Sequence, residues 1–419
     1  MRVGIQTWGS DGDVRPMIAL AAGVRRAGHD VRLIASSVDD TDYAPLAERL
    51  GVPLDMVPPR MNASIGDMAK RAGGGANPIK LMRVILGDTF FPHLDAMHAA
   101  ALELCATSDV VVGHFAAWHV KAAALETGAP FAAAVLWPGL VPTRDEPPLW
   151  MPRLAALNRF EWWLAITLAD VIWKKPAAEL YARRGLPAIR HSIPDVLISH
   201  QLNLLGASPA LWPQASDWGD THPVCGAFTI PDEAEPTALP GDFDEFMSER
   251  EPPVFLSLGS PEQADPVRSR ALLVEAARLS RVRAVIQLKS DRLETGRREG
   301  DLYFLPRTSH AALFQRCSFV VHHGGAGTAH TVARAGVPSI AVHFSDEQWS
   351  WGDRLYRAGV AMPPLNFFRA TPAKLAARIR DALATPSLAT SATSLAERMR
   401  SEDGCAEAVR HLEALVGRR

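Results

Sequence analysis

The chain has 419 residues, 47% of them hydrophobic and 21% charged, with a formal net charge of −2. That length exceeds what one ordinary core fills, and the near balance of charge excludes the basic signature of a polyanion-binding protein, so nucleic acid is not an expected partner. The longest apolar stretches are broken by charges or prolines, which argues against a transmembrane segment. The start, Met1-Arg2-Val3-Gly4-Ile5-Gln6-Thr7-Trp8, reads as a first strand rather than a signal peptide, making the cytoplasm the default location. Cys105, Cys225, Cys317 and Cys405 stand far apart without metal-type spacing, so reduced and mostly buried thiols are expected.

In chain order, apolar strand-like runs alternate with helical patterns, the mark of parallel sheets crossed over by helices. The first-half strands are Val3 to Trp8, Asp30 to Ala35, Val110 to Gly113 and Phe131 to Leu136. The turn after the first, Gly9-Ser10-Asp11-Gly12-Asp13-Val14-Arg15-Pro16, opens a helix that Pro16 suits. Its glycines are not spaced as in a dinucleotide fingerprint, and Asp13 is well placed to cap the helix. Residues Arg60 to Pro78, containing Gly73-Gly74-Gly75, read as a long loop able to cover a binding site. The Pro- and acid-rich run from Ile230 to Gly241 is a linker. It divides the chain into a first domain over 1–228, a linker over 229–251 and a second domain over 252–419, whose last helix is free to pack back on the first.

The second half repeats the alternation, with strands Val254 to Leu258, Ala284 to Leu288, Phe319 to His322 and Ser339 to Val342. Its most informative stretch is His322-His323-Gly324-Gly325-Ala326-Gly327-Thr328, which follows an apolar run and opens the helical pattern Ala329 to Ala335. Strand, glycine-rich turn and helix start make an anion site: glycines admit a ligand close to the backbone, and the unpaired N–H groups of the first turn attract a phosphate. Two imidazoles at the same mouth add charge or donors.

This turn, together with Val254-Phe255-Leu256-Ser257-Leu258-Gly259-Ser260 and Phe344-Ser345-Asp346-Glu347-Gln348-Trp349-Ser350-Trp351-Gly352-Asp353-Arg354, resembles the nucleotide-sugar glycosyltransferases that act on small molecules. These are the bacterial relatives of the UDP-glucuronosyl, sterol glucosyl and vancomycin-type antibiotic glycosyltransferases, and the resemblance runs over nearly the whole chain. It implies an α/β fold of GT-B type, with two Rossmann-like domains facing across a cleft, the first for the acceptor and the second for the donor. It implies that Ser260, His322, Gly325, Ala326, Gly327 and Thr328 hold the donor's diphosphate, and that Glu347 and Gln348 bind the sugar. The family shows Gly-Asp-Gln at that point, whereas here Asp346 sits one place early, so Asp346 or Glu347 is the contacting carboxylate. The nucleobase is expected near Leu305, Pro306 and Arg307, with Arg307 replacing a Gln of many relatives. In the family, the residue matching Asp13 is the general base.

What the resemblance implies in sum is inverting transfer of a hexose from a nucleotide diphosphate sugar to a hydroxyl of a lipophilic polyketide, phenol, terpenoid or sterol. UDP-glucose is the leading donor, dTDP-sugars are its competitors, and neither a metal nor another cofactor is expected. Acceptor contacts are expected from Phe90, His114, Trp118 and Trp137, since large apolar side chains with polar handles suit such a ligand, although core packing explains them too. Oligomeric state is left open. Two other readings stand beside this one: a non-catalytic GT-B protein that binds a nucleotide sugar or lipophile, and a sugar-nucleotide epimerase. Asp13 beside a complete diphosphate turn argues against the former, and the aromatic-rich first domain against the latter.

Overall fold

The computed structural model describes the chain except for residues 40, 59–67, 69–70, 72–77, 150, 152, 232–238, 240, 292, 307 and 419. Most of the expected covering loop, part of the expected linker, and Arg307 therefore lie outside the described residues. The chain forms two compact units: unit 1 comprises Met1–Ser64, Ile79–Ala234 and Asp403–Arg419, and unit 2 is built on Glu235–Glu402. Among the described residues no helix is long and apolar enough to cross a membrane. All four cysteines are free and buried.

Unit 1 is a six-stranded sheet in the order β3-β2-β1-β4-β5-β6, with β1 Arg2–Gly9, β2 Asp30–Ser37, β3 Leu54–Met56, β4 Val110–His114, β5 Phe131–Val135 and β6 Leu202–Leu205. Every neighbouring pair is parallel. Such a sheet is covered on both faces, so β1 is buried from Val3 to Gly9 without the alternation of a half-exposed strand. Helix α1, Asp11–Arg26, buries Val14, Met17, Ile18, Leu20, Ala21 and Val24. Helices α2 Leu94–Thr107 and α3 Trp118–Thr127 flank β4, and the long helix α4 Asn158–Arg183 follows β5. The core is completed from far along the sequence: Cys405, Ala408, Val409 and Leu412 join the cluster of α1 and the sheet.

Unit 2 is a seven-stranded sheet in the order β13-β12-β11-β7-β8-β10-β9. Its strands are β7 Val254–Leu256, β8 Ala284–Ile286, β9 Arg297–Glu299, β10 Leu302–Phe304, β11 Phe319–His322, β12 Ser339–His343 and β13 Leu365–Asn366. Only β9 runs antiparallel to its neighbour. Helices α6 Pro266–Ser280, α7 Ala326–Ala335, α8 Asp346–Arg357, α9 Pro372–Leu383 and α10 Pro386–Met399 pack around it. Within the expected linker, helix α5 Phe243–Ser248 forms because Phe243, Phe246 and Met247 fall on one face and are buried, with both Phe rings against Tyr303. The helix over Gly404–Gly417, α11, belongs to unit 1.

Leu412 is fully buried on α11 within the unit 1 core. Leu412→Ala should therefore lower unfolding stability by roughly 2–5 kcal/mol, measured by urea denaturation. An unchanged midpoint would place α11 outside that core.

Candidate functional site

In unit 2, β11 delivers His322 to the start of α7, whose N-cap is Gly325, without a side-chain cap. The N–H groups of Ala326, Gly327 and Thr328 thus lack the Ser, Thr or Asp oxygen that usually occupies a helix start, which leaves the position open to an external anion. Beside them His322 is 1% exposed. Its Nδ1 accepts the Gly324 N–H at 3.1 Å, which assigns the ring proton to Nε2, and among the described residues Nε2 has no partner. A buried N–H without an acceptor is costly unless a ligand supplies one. Burial holds the His322 imidazole down to about 3 and that of His323 to about 4, so both are neutral near pH 7. The turn therefore offers hydrogen-bond donors and no imidazolium charge. Ser260 stands just beyond β7, beside β11 in the sheet, and its hydroxyl accepts from Lys289 Nζ at 3.5 Å.

The turn and the expected sugar-binding helix are fitted to each other. Gly324 has φ 86°, and a Cβ there would lie 2.4 Å from the backbone oxygen of Gln348, so only glycine lets the turn approach α8 this closely. Ser345 caps α8, accepting the Gln348 N–H at 3.4 Å. The Gln348 side-chain oxygen accepts the Phe344 N–H at 2.8 Å. A backbone N–H only donates, so the amide orientation is fixed, and among the described residues the Gln348 NH₂ has no acceptor. Toward a ligand Gln348 presents donors. Asp346 is exposed in the first turn of α8 and Glu347 is half-buried next to it.

The nucleobase region is only partly described. Leu305 is 1% exposed and its N–H extends the sheet to Ile286, so its side chain belongs to the core rather than to a ligand surface. Pro306 is half-buried, and its carbonyl accepts from Gln287 Nε2 at 2.9 Å, while Gln287 Oε1 meets His310 Nε2 at 2.8 Å. Gln287 and His310 thereby fix this segment. Arg307 lies outside the described residues.

In unit 1, Asp13 is the third residue of α1, and its Oδ2 accepts the N–H of Ser10 at 2.8 Å and the Ser10 hydroxyl at 3.0 Å. The capping interaction is thus present. It occupies one carboxylate oxygen. The other, Oδ1, lies 3.5 Å from Nε2 of His114, and the Asp13 side chain is 33% exposed while that of His114 is 1% exposed. Gly9, at φ 145°, makes the space: a Cβ there would sit 2.2 Å from Asp13 Oδ2. Burial lowers the His114 imidazole below its usual value despite the neighbouring carboxylate, leaving a neutral ring against the acid. His114 is thus brought to Asp13, a pairing between strand ends that lie far apart in sequence.

The expected aromatic contacts divide. Phe90 and Trp118 are 0% and 2% exposed, packed against one another at 5.3 Å, with Phe90 edge-on to Trp8 at 5.0 Å. As placed, they are core and offer no surface to a ligand, because the three rings satisfy each other's apolar area. Trp137 is half-buried just after β5. Among the described residues no group of three or more His, Cys, Asp or Glu is arranged to hold a metal ion.

The depressed imidazoles have a consequence for stability. His322 and His330, both buried, titrate at about 3 and about 4 against an ordinary 6.5. Below pH 6.5 the unfolded chain takes up protons that the folded rings refuse, so unfolding free energy should fall between pH 6.5 and 4 by up to about 1.4 kcal/mol per pH unit for each ring. Urea titrations across that window should show the slope, shallower in His330→Asn. A flat profile would mean that the rings are protonated in place.

A family described as "Erythromycin biosynthesis protein CIII-like, C-terminal domain" matches residues 300–415. The O-mycaminosyltylonolide 6-deoxyallosyltransferase of Streptomyces fradiae is 30% identical over 417 residues, covering 96% of this chain and 95% of its own length. The vancomycin aglycone glucosyltransferase of Amycolatopsis orientalis is 29% identical, with 100% and 98% covered. The solved glycosyltransferase VinC, in complex with dTDP, has a TM-score of 0.66 over 100% of both chains at 19% identity, a likeness of fold. Two mainly parallel sheets of Rossmann type, an uncapped helix start beside an imidazole N–H with no partner among the described residues, and relatives aligned from end to end agree. The chain belongs to the GT-B nucleotide-sugar glycosyltransferases and is an enzyme that transfers a sugar to small-molecule acceptors.

Proposed function

We propose that the enzyme is an inverting hexosyltransferase that moves glucose from UDP-glucose to a hydroxyl of a lipophilic acceptor, with Asp13 as general base. The observation that carries the base assignment is the division of the Asp13 carboxylate: Oδ2 is tied to Ser10, while Oδ1 faces a buried neutral imidazole and is otherwise unengaged among the described residues. A carboxylate fixed by one oxygen presents the other in a constant direction, which general-base catalysis requires. The acceptor's oxygen attacks the anomeric carbon from the face opposite the diphosphate and gives its proton to Oδ1. His114 keeps the carboxylate oriented.

As the bond to the anomeric carbon breaks, charge collects on the departing diphosphate. The N–H groups at the start of α7, the Ser260 hydroxyl and the Nε2–H of His322 are donors suited to that charge. In this scheme they take the part that a divalent cation plays in other sugar transfers, so the reaction proceeds without metal. Support for a hydroxyl-rich hexose comes from the open NH₂ of Gln348 beside Glu347 and Asp346, since a deoxygenated sugar leaves such groups unpaired. The dTDP-linked sugars are the competing donors: one relative is named for a 6-deoxy sugar and VinC was solved with dTDP. Trp137 and the surroundings of Asp13 are assigned to the acceptor, with Phe90 and Trp118 as core residues of the same unit.

Asp13→Asn retains the capping geometry but accepts no proton. Transfer to an alkyl alcohol should fall by roughly 10²-fold or more with donor affinity unchanged, and transfer to a more acidic phenol should fall less. Near-wild-type rates with both acceptors would remove Asp13 from the mechanism. His322→Ala should lower turnover at saturating donor on the order of 10²-fold. EDTA should leave the wild-type rate unchanged, and a loss restored by Mg²⁺ would overturn the metal-free scheme.

A further inference from the structure

We propose that Lys289 binds the donor's diphosphate and is the cation of the donor site. The proposal rests on the donor reading of the β11–α7 turn and adds a residue that neither that motif nor its neighbouring segments contain. Its starting point is charge. A nucleoside diphosphate sugar brings two phosphates, each ionised, whereas His322 and His323 are neutral and the start of α7 contributes only about half an elementary charge. Donors alone leave that anion uncompensated.

Lys289 is placed to compensate it. Strands β7 and β8 are parallel neighbours paired Leu256 with Ile286, so the segments leaving their carboxyl ends run out side by side. Ser260 follows one strand and Lys289 the other, and Nζ lies 3.5 Å from the Ser260 hydroxyl. The turn that carries Lys289 is held from two sides. Glu262 Oε1 accepts the N–H of Ser290 at 2.7 Å, and Arg270 pairs with Asp291 at 2.5 Å while lying 4.9 Å over the Phe304 ring. The acid on this turn is otherwise engaged: Glu262 is 0% exposed, its Oε1 is held by the Ser290 N–H, and burial pushes its carboxyl up to about 7, which lowers its negative charge. Among the described residues no carboxylate pairs with Lys289, so its charge is available.

In the transfer, the acceptor oxygen bonds to the anomeric carbon, the bond from that carbon to the diphosphate oxygen breaks, and the electron pair stays on the diphosphate. The leaving group gains negative charge beside Lys289. The same ammonium therefore strengthens donor binding and stabilises the departing nucleotide.

Calorimetric binding of UDP and dTDP, with uridine and thymidine as controls, tests this in wild type, Lys289→Met and Lys289→Arg. Lys289→Met should bind the preferred diphosphate on the order of 10- to 100-fold more weakly. Its affinity should depend less steeply on salt, nucleoside affinity should be unchanged, and Lys289→Arg should recover most of the loss. Wild-type affinity and salt dependence in Lys289→Met would overturn the proposal, as would an equal loss for nucleoside and diphosphate, which marks a merely structural role. If wild type itself binds neither diphosphate, the donor reading falls and takes the Lys289 assignment with it.

Discussion

Both units depend on the same constraint of parallel sheets: a strand order that reverses direction leaves a crevice where successive crossovers depart to opposite faces. In unit 1 the reversal falls between β1 and β4, and the residues that leave those strands are Asp13 and His114. In unit 2 it falls between β7 and β11, whose ends carry Ser260 and the turn from His322 to Thr328. The backbone is committed to hydrogen bonding within the sheet up to these edges and freed immediately beyond them. The candidate site residues of each unit lie at these two edges.

Burial then decides what those groups can be. A histidine sealed at a strand end loses its charged form, so His322 offers a fixed N–H and His114 a neutral ring beside a carboxylate. Neutral donors of fixed direction need no reorganisation as charge moves, whereas a mobile cation brings attraction over a longer range. In the scheme proposed for unit 2, those tasks fall to the turn after β11 and to the segment after β8, with β7 between them. Gln348 shows the same economy, with its oxygen spent on the backbone of Phe344 and its NH₂ kept outward.

Much of this was legible in the sequence, for reasons that differ by residue. The eight strands read from apolar runs are present, whereas β3, β6, β9, β10 and β13, of two to four residues each, are not marked by the apolar pattern. Helix α5 hid in a linker because its single turn is short and acidic. The diphosphate turn was visible because strand, glycines and helix start are contiguous. Pairings that bridge strand ends were not: nothing local marks His114 as the neighbour of Asp13, or Lys289 as the neighbour of Ser260. The sequence offers Asp13 as cap or base, and the structure puts a capping bond on one of its oxygens while leaving the other facing His114. For Phe90 and Trp118 the sequence leaves acceptor contact and core packing both open, because residue type does not distinguish a wall from the packing behind it, and the structure buries both rings.

Unit 1 is sewn from distant parts of the chain, since α11 supplies Cys405, Ala408, Val409 and Leu412 to a core otherwise made before residue 230. During translation this imposes a schedule. All of unit 2 emerges from the ribosome before α11 does, so unit 2 can finish folding while the nascent sheet of unit 1 still exposes the groove along α1. The half of the protein that begins first is closed last, and for that interval its apolar side chains are what a chaperone would meet.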